Sequence, residues 1–338
     1  MTAPARRRAL LVSIINYRTA DLTLQCLRSV LPEIAGRDAE AVVVDNRSDD
    51  GSAEAIAAWI AAQDPPVPVR LVRSATNSGF SGGHNRAMAA CPAEAVLVLN
   101  SDALLRPGCI AALLGAAARM PGAGLFAPRL EHEDGTVQTS CFRFHGPLSE
   151  LIRSAATGPV TRVLRSRDVS LPMPPDPGRI EWASFACILL RGAMVRALGP
   201  MDEGYFLYYE DAEYCLRARR AGWGIAHVPE ARVVHFRGGS APVKSLARAR
   251  RRLPAYYYAS RTRFLRQAHG YAGYLAANLA WYLGRGIRLA RRIPPAVEAE
   301  ARDIWTGAAA PLAPNPAAPP ESGPDAGPAN VQKTDPGA

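Results

Sequence analysis

The chain has 338 residues, 48% of them hydrophobic, which is enough to bury a full core. Its 6 cysteines form no Cys-x-x-Cys pair, and several lie in apolar runs. This pattern argues against a disulfide framework or a zinc site and favours reduced core thiols. The formal net charge is +10, and basic residues crowd a region after residue 240.

Apolar runs of strand length alternate with amphipathic stretches in the first hundred residues. Arg6, Arg7 and Arg8 lead directly into the first run, so we expect no secretory signal and a cytoplasmic location. The predicted strands are 9–15, 41–44 and 95–99, and the predicted helices are roughly 22–31, 53–62 and 83–90. This alternation predicts an α/β fold with a mainly parallel central sheet.

Polar residues follow the predicted strands at their carboxyl ends. Asp45 and Asn46 follow the second strand, and Asn100, Ser101 and Asp102 follow the third. Ligands of parallel α/β sheets bind beyond the carboxyl ends of the strands, so this edge is the predicted binding site.

A second acidic cluster lies between Trp182 and Trp223. Tyr209 is followed by Glu210 and Asp211 and then by a helical pattern. Acids at a helix start are favoured by the helix dipole, and a loop there can deliver one carboxylate to a pocket. Asp211 is therefore the first candidate for a catalytic base. The alternative is that these acids only occupy the first helical turn.

A series of short motifs spans residues 9–240. They are SIINY at 13–17, VVDN at 43–46, TNSGF at 76–80 with Asn85, LVLNSD at 97–102, GPMDE at 199–203, and VHFRGGS at 234–240. Together they resemble family 2 inverting glycosyltransferases, especially a bacterial rhamnosyltransferase-like branch. The resemblance implies a GT-A type domain that transfers a sugar from a nucleotide-sugar to a hydroxyl of a glycolipid or cell-surface polysaccharide precursor. Rhamnose from dTDP-rhamnose is the expected donor sugar.

A divalent cation, Mg²⁺ or Mn²⁺, is expected beside the donor diphosphate, because this leaving group gains negative charge. Asp102 is the expected ligand. The resemblance makes Asn100, Ser101 and Asp102 a variant of the family's Asp-x-Asp motif in which Asn replaces the first acid. It also places His235 at the metal or the diphosphate. The alternatives are a turn at 100–102 that caps the next helix, and an ordinary packed histidine.

Asp45 is expected to accept the ring N–H of uracil or thymine, a contact that the resemblance also implies. Its alternative role is in the turn, although the residues after it satisfy the turn without it. By resemblance, Ile15, Asn16 and Tyr17 line the same base pocket.

The glycine-rich loop that contains Asn77 and Gly79 suits close approach of its backbone to the donor. By resemblance, Asn85 also belongs to the donor-binding residues. It is not a Walker loop, because no Gly-Lys-Ser/Thr follows. The alternative is a flexible connector.

The resemblance places the acceptor beside Trp182, Asp202, Glu203 and Glu210. One position departs from the family pattern. Phe185 stands where the family often has glycine, so we expect either a reshaped donor pocket or a loop that is shifted by one residue.

Basic and aromatic residues crowd residues 248–292, a composition that suits an anionic membrane surface. The apolar stretch at 271–283 is too short to span a bilayer, so we expect a surface-lying element at the inner face of the cytoplasmic membrane. Its inserted rings would be Tyr271, Tyr274, Trp281 and Tyr282. A packed helical pair is one alternative. Nucleic acid is another, but no recognition fold accompanies the charge.

The chain is therefore divided into three predicted regions. Residues 1–240 form the catalytic domain, 241–308 a helical extension, and 309–338 a disordered tail rich in Pro, Ala and Gly. Two other functions stay open: a nucleotidyltransferase or other nucleotide-sugar enzyme, and a non-catalytic binding protein. Retention of Asp45, Asp102, Asp211 and His235 argues against the second.

Overall fold

The computed structural model describes residues 7–64, 67–236, 246, 252–292 and 300–307. Within them the predicted strands are confirmed as β1 (Arg8–Asn16), β2 (Ala39–Asp45) and β4 (Ala93–Asn100). The predicted helices are confirmed as α1 (Ala20–Ile34), α2 (Ser52–Ala61) and α3 (Gly79–Ala90). The start of α3 is earlier than predicted because its first turns contain glycines and serine, which carry no apolar periodicity.

The other elements complete an α/β fold. The remaining strands are β3 (Val69–Arg73), β5 (Ala103–Leu105), β6 (Ala123–Glu131), β7 (Cys141–Phe142), β8 (Trp182–Ala183), β9 (Cys187–Arg191) and β10 (Gly224–His235). The remaining helices are α4 (Cys109–Arg119), α5 (Pro147–Ala155), α6 (Gly158–Val163), α7 (Gly192–Leu198), α8 (Glu210–Arg220), α9 (Ala255–Ala290) and α10 (Glu300–Thr306).

The central sheet has 8 strands in the order β3-β2-β1-β4-β9-β6-β10-β5. The pairs β3/β2, β2/β1, β1/β4 and β6/β10 are parallel, whereas β9 and β5 run antiparallel to their neighbours. The mainly parallel sheet that the sequence predicts is confirmed. Its order brings the carboxyl ends of β1, β2 and β4 together at one edge, where the predicted ligand site lies.

Both faces of this sheet are buried. Leu27 of α1, Ile56 of α2 and Leu113 of α4 pack on one face, and Met194 of α7 and Tyr214 of α8 pack on the other. Covering on both sides explains the uninterrupted apolar runs of β1, β2 and β4. All 6 cysteines are free and buried, which confirms the expectation of reduced core thiols.

The basic extension forms α9 and α10 and packs against α5 and α8. Arg261 of α9 is 0% exposed, and its guanidinium donates to Glu150 Oε2 at 3.0 and 2.9 Å and to Asn278 Oδ1 at 2.9 Å. Burial alone would raise the pKa of Glu150, but the charges of Arg153 and Arg261 hold it at about 2. Breaking a buried pair of this kind leaves an uncompensated charge, so the pair fixes α9 to α5.

The aromatic residues of α9 correct one expectation. Tyr274 and Trp281 are buried against the neighbouring helices, and the Tyr282 hydroxyl donates to the Ala301 carbonyl at 2.6 Å. The prediction that these rings insert into lipid is therefore wrong, because they pack inside the protein. Only Tyr271 of the four named rings faces outward, at 61% exposure.

Of the helices formed by the described residues, none combines the length and the apolar character needed to cross a bilayer. The predicted tail at 309–338 lies outside the described residues, as does the boundary predicted at residue 240.

Candidate functional site

The ends of β1 and β2 form a closed hydrogen-bond network around Asp45. Asp45 Oδ1 accepts from Asn16 Nδ2 at 2.7 Å and from the Ser48 hydroxyl, and Oδ2 accepts from the Ser48 backbone N–H at 3.1 Å. The expectation that the turn does without Asp45 is therefore wrong, since this carboxylate caps it. A carboxylate has about four lone-pair sites, so Oδ2 keeps capacity for a further donor such as a pyrimidine N–H.

Ile15 and Tyr17, on either side of the buried Asn16, are half-buried. Ile15 packs against α3 at Gly83, where an added Cβ would lie 2.6 Å from Ile15 Cδ1. Arg18, which the sequence did not single out, donates from Nε to the Ser48 carbonyl at 2.9 Å, and its guanidinium lies 5.3 Å from the Tyr17 ring centre.

Asn46 joins the end of β2 to the glycine-rich loop. Its Nδ2 donates to Asn77 Oδ1 and to the Gly79 carbonyl, both at 2.9 Å, and its Oδ1 accepts from the Ser78 N–H at 3.1 Å. A side chain that the sequence assigned only to a turn thus holds the loop in place. The loop is not a flexible connector.

Gly79 is required by a close backbone approach. Its φ is +68°, and a Cβ at this position would lie 2.1 Å from the Phe206 carbonyl oxygen. The next N–H, that of Phe80, donates to the same oxygen at 2.8 Å. The glycine-rich loop therefore touches the segment at 201–209 that leads into α8.

Asn85 points to a different partner from the one predicted. Its Nδ2 donates to the Met201 carbonyl and to Glu203 Oε1, both at 2.9 Å, and its Oδ1 accepts from the Met201 N–H at 2.9 Å. These bonds engage both polar atoms of the amide, so Asn85 holds the 201–209 segment.

The triplet Asn100, Ser101 and Asp102 links the base pocket to the sheet edge. Ser101 Oγ lies 3.2 Å from Thr19 Oγ1, which in turn donates to Asn16 Oδ1 at 3.3 Å. The alternative of a helix-capping turn is excluded, because β5 follows and Glu33 accepts from the first N–H groups of α4 instead.

Asp102 and His235 are brought together by the pairing of β5 with β10. His235 Nε2 lies 3.5 Å from Asp102 Oδ1, and both side chains are buried. Among the described residues, His235 Nδ1 is buried without a hydrogen-bond partner. Gln138, which the sequence did not single out, donates to the His235 carbonyl at 2.7 Å and so fixes the end of β10.

These two donors fit a hard divalent ion that keeps positions for phosphate oxygens. A carboxylate oxygen and a neutral imidazole are both accepted by Mn²⁺, and an ion held by few protein ligands completes its shell with phosphate or water. In the part of the chain that the structure describes, no cluster of three or more His, Cys, Asp or Glu side chains could hold a metal ion alone.

Helix α8 begins with the predicted acidic pair. Tyr208 and Tyr209 precede it with φ of +71° and +68°, a strained conformation for such side chains that is commonly retained at functional sites. Burial raises the pKa of Asp211 to about 7, and burial together with the Asp211 charge raises that of Glu210 well above its usual range. Among the described residues Glu210 Oε2 has no hydrogen-bond partner. Burial therefore favours the neutral form of both carboxyl groups.

The backbone around Phe185 connects this pair to the metal triplet. The Asn100 N–H donates to the Ala186 carbonyl at 2.9 Å, and a backbone hydrogen bond from Phe185 lowers the pKa of Asp211 against the effect of burial. The Phe185 ring is only 2% exposed and packs on Tyr214, 6.2 Å between centroids. The ring therefore lies in the core, and the expected effect of Phe185 on the donor pocket stays a prediction.

The segment at 201–209 is held by α9. Asp202 accepts from Arg263 Nε at 3.0 Å and Nη2 at 2.8 Å and from Gln267 Nε2 at 3.1 Å. Burial opposes ionisation, but hydrogen bonds from the Gly204 N–H, Arg263 and Gln267 keep the pKa of Asp202 below its usual range. Asp202 was predicted on the acceptor side, and the structure shows it as the anchor of this segment. We call the Asp202, Arg263 and Gln267 contacts the α9 clasp.

Trp182 and its neighbours form an aromatic cluster beside the acidic pair. The Trp182 ring stacks on Phe142 at 4.2 Å and lies 6.1 Å from His145, which is 4.9 Å from Tyr209. Trp182 remains half-buried, so part of its surface is open to a ligand. Glu203 is exposed and accepts from Asn85.

Comparisons with known proteins agree with this arrangement. The family model "Glycosyl transferase family 2" matches residues 11–159. An N-acetylglucosaminyl-diphospho-decaprenol L-rhamnosyltransferase of Mycobacterium tuberculosis is 31% identical over 276 residues, which cover 75% of this chain and 82% of that protein. The chain belongs to glycosyl transferase family 2. It is a glycosyltransferase, and the expected family, fold class and enzyme class are confirmed.

Two further proteins show how far this family 2 chain resembles others. A low-salt glycan biosynthesis hexosyltransferase of Haloferax volcanii is 25% identical over 234 residues, 66% of each protein. The solved mannosyltransferase PcManGT of Pyrobaculum calidifontis, in complex with GDP-Man and Mn²⁺, aligns over 90% of this chain and 81% of its own, with a TM-score of 0.52 and 20% identity. The structural likeness supports the fold alone.

Proposed function

We propose that this family 2 enzyme transfers rhamnose from dTDP-rhamnose, with inversion, to a hydroxyl of a lipid-linked glycan precursor at the inner face of the cytoplasmic membrane. The observation that carries the proposal is the contact path from Asn100 through Ala186 and Phe185 to Asp211. It joins the predicted diphosphate side to a carboxylate with a pKa of about 7, as a displacement at an anomeric carbon requires. The rhamnosyltransferase of M. tuberculosis, whose name gives a decaprenol acceptor, supports the choice of sugar and acceptor.

The side chains have separate roles in this reaction. Asp45 and Asn16 bind the pyrimidine base, and Asp102 and His235 are the residues that would hold a divalent cation, Mg²⁺ or Mn²⁺. When bound, that cation would neutralise charge on the diphosphate, and the complex of PcManGT with Mn²⁺ supports this choice. Asp211 takes the proton of the acceptor hydroxyl as its oxygen bonds to the anomeric carbon. The bond from that carbon to the diphosphate breaks on the opposite side, which inverts the configuration.

The acceptor is proposed to lie against Trp182, Glu203 and Glu210, beside the proposed general base Asp211. Sugar rings stack their apolar faces on aromatic rings, and half-buried Trp182 provides one. The nucleotidyltransferase and non-catalytic alternatives lose support, because the family acts by glycosyl transfer.

Donor identity is tested by thermal unfolding with a panel of sugar nucleotides and Mn²⁺. A ligand at about 100 times its Kd stabilises the fold by roughly 2.7 kcal/mol, which for a chain of this size raises Tm by on the order of 5 °C or more. We expect this shift with dTDP-rhamnose and a much smaller one with GDP-mannose. A larger shift with another sugar nucleotide would replace the proposed donor, and Asp45→Ala should remove the shift for any pyrimidine donor.

The α9 clasp is expected to position Asp211, the proposed general base. Arg263→Gln should lower kcat by roughly 100-fold, because a displacement of about 1 Å at a reacting group has this effect, while the KM for the donor changes little. Arg266→Gln is the matched control, since that guanidinium lies over the Tyr271 and Tyr274 rings and not on the 201–209 segment. A lowered Tm with unchanged kcat would show that the clasp serves stability alone.

A further inference from the structure

The second half of α9 carries an apolar face that no described residue covers. Between Tyr271 and Ala290 every exposed residue is apolar. Most of them follow the helical spacing of one face, which we call the outer α9 face: Ala272, Ala276, Leu279, Leu283, Gly286 and Ala290. Leu279 and Leu283 are 63% and 60% exposed, so large side chains as well as small ones contribute.

The opposite face of the same helix is fully used in packing. Tyr274, Ala277, Asn278, Trp281 and Gly284 are buried, and a Cβ on Gly284 would lie 2.1 Å from Ser154 Oγ of α5. The orientation of the helix is therefore fixed by its inner side. The exposure of the outer α9 face is a consequence of that fixed packing and not of a loosely held helix.

The charges that α9 itself carries have one sign. No acidic residue occurs between residues 255 and 292, and the pairs Arg261 with Glu150 and Arg263 with Asp202 neutralise two arginines in the first half of the helix. The second half ends in a basic group, namely Arg285, Arg288, Arg291 and Arg292. An apolar face beside arginines is the composition of helices that lie in the plane of a bilayer.

We propose that the outer α9 face docks on an anionic lipid bilayer, with Leu279 and Leu283 in the boundary between headgroups and acyl chains. This inference rests on the proposed function, in that it supplies the surface on which a lipid-linked acceptor is met. A second copy of the chain is a poorer occupant, because two acid-free helices with basic ends would bring like charges together. Each arginine near an anionic surface strengthens binding by about fivefold at low salt.

The test is sedimentation of the full chain with vesicles of phosphatidylcholine and phosphatidylglycerol, compared with phosphatidylcholine alone. We expect binding to the anionic vesicles, weakened by salt. Leu279→Gln with Leu283→Gln should reduce it by about tenfold or more, because two apolar side chains lose their burial. Arg291→Gln with Arg292→Gln should also reduce it and flatten its salt dependence. Met120→Gln, which changes an exposed apolar residue at the end of α4, should bind like the unmodified chain.

Three results would overturn the proposal. The first is no binding to anionic vesicles, and the second is equal binding by the Leu279→Gln, Leu283→Gln variant. The third is a dimer in gel filtration that this variant converts to a monomer while vesicles are not bound, which would show that a second copy covers the face. Vesicle binding needs neither donor nor acceptor, so its outcome is independent of the donor panel that tests the proposed function.

Discussion

Replacing Asp211 by asparagine is expected to lower turnover by on the order of 10² to 10⁴-fold, the usual contribution of a general base. The substitution keeps the shape of the side chain and removes its ability to take the acceptor proton. Binding of the nucleotide-sugar should change little, because the proposed role of Asp211 is to act on the acceptor hydroxyl and not on the nucleotide. Steady-state kinetics with a soluble acceptor analogue, together with donor-dependent thermal shifts, separates the two effects.

The pH profile gives an independent check on the same residue. Burial raises the pKa of Asp211 to about 7, and the base must be ionised to act. The value of kcat/KM should therefore fall as pH drops below about 7, and the profile of the Asp211→Asn variant should lack this limb. Asp64→Asn changes an exposed carboxylate on another part of the surface and should leave turnover and profile unaltered. Near-normal turnover in Asp211→Asn would remove Asp211 from the role of base.

Replacing Asp102 by alanine is expected to weaken Mn²⁺ binding in the presence of a nucleoside diphosphate by at least about 100-fold. Mutation of residues that hydrogen-bond to metal ligands typically lowers metal affinity by about 10–100-fold, so loss of a ligand itself should lower it at least as much. In the unmodified protein, Mn²⁺ should bind weakly alone and more tightly with dTDP, because phosphate oxygens would add ligands to the proposed pair Asp102 and His235.

Calorimetry with and without dTDP measures this coupling directly and does not depend on activity. Glu133→Ala removes an exposed acid and is the matched control, expected to keep the coupling. Equal Mn²⁺ affinity with and without dTDP would contradict the assignment. So would full coupling in Asp102→Ala.

The sequence predicts the sheet well because each strand is marked by its own continuous run of residues. The runs that form β1, β2 and β4 are apolar throughout, since both faces of the sheet are covered, and their carboxyl ends are marked by polar residues within a few positions. Asp45, Asn100 and Asp102 follow from this pattern. The sequence does not predict the early start of α3. Gly79 and Gly82 lie there because Phe206 and Ser78 approach the helix backbone too closely for a side chain, and hydrophobic periodicity does not reveal such contacts.

The rest of the site depends on contacts between distant parts of the chain. Arg263 meets Asp202 across 61 positions and Asn85 meets Met201 across 116, so neither partner carries a local signal of the other. The same reason explains the wrong expectation for Tyr274 and Trp281. An aromatic residue next to arginines looks the same in sequence whether it faces lipid or packs against a neighbouring helix.

The α9 clasp means that the catalytic half of this enzyme is not an interchangeable module. Cutting the chain after residue 240 would leave Asp202 without Arg263 and Glu150 without Arg261, two arginines that help to lower the pKa values of these acids. A chimera that takes its last helices from a relative would meet the same difficulty unless it also took the 201–209 segment and α5. Altering the specificity of such enzymes by exchange therefore calls for moving α5, the 201–209 segment and the trailing helices together, and not for a breakpoint at the border between sheet and trailing helices.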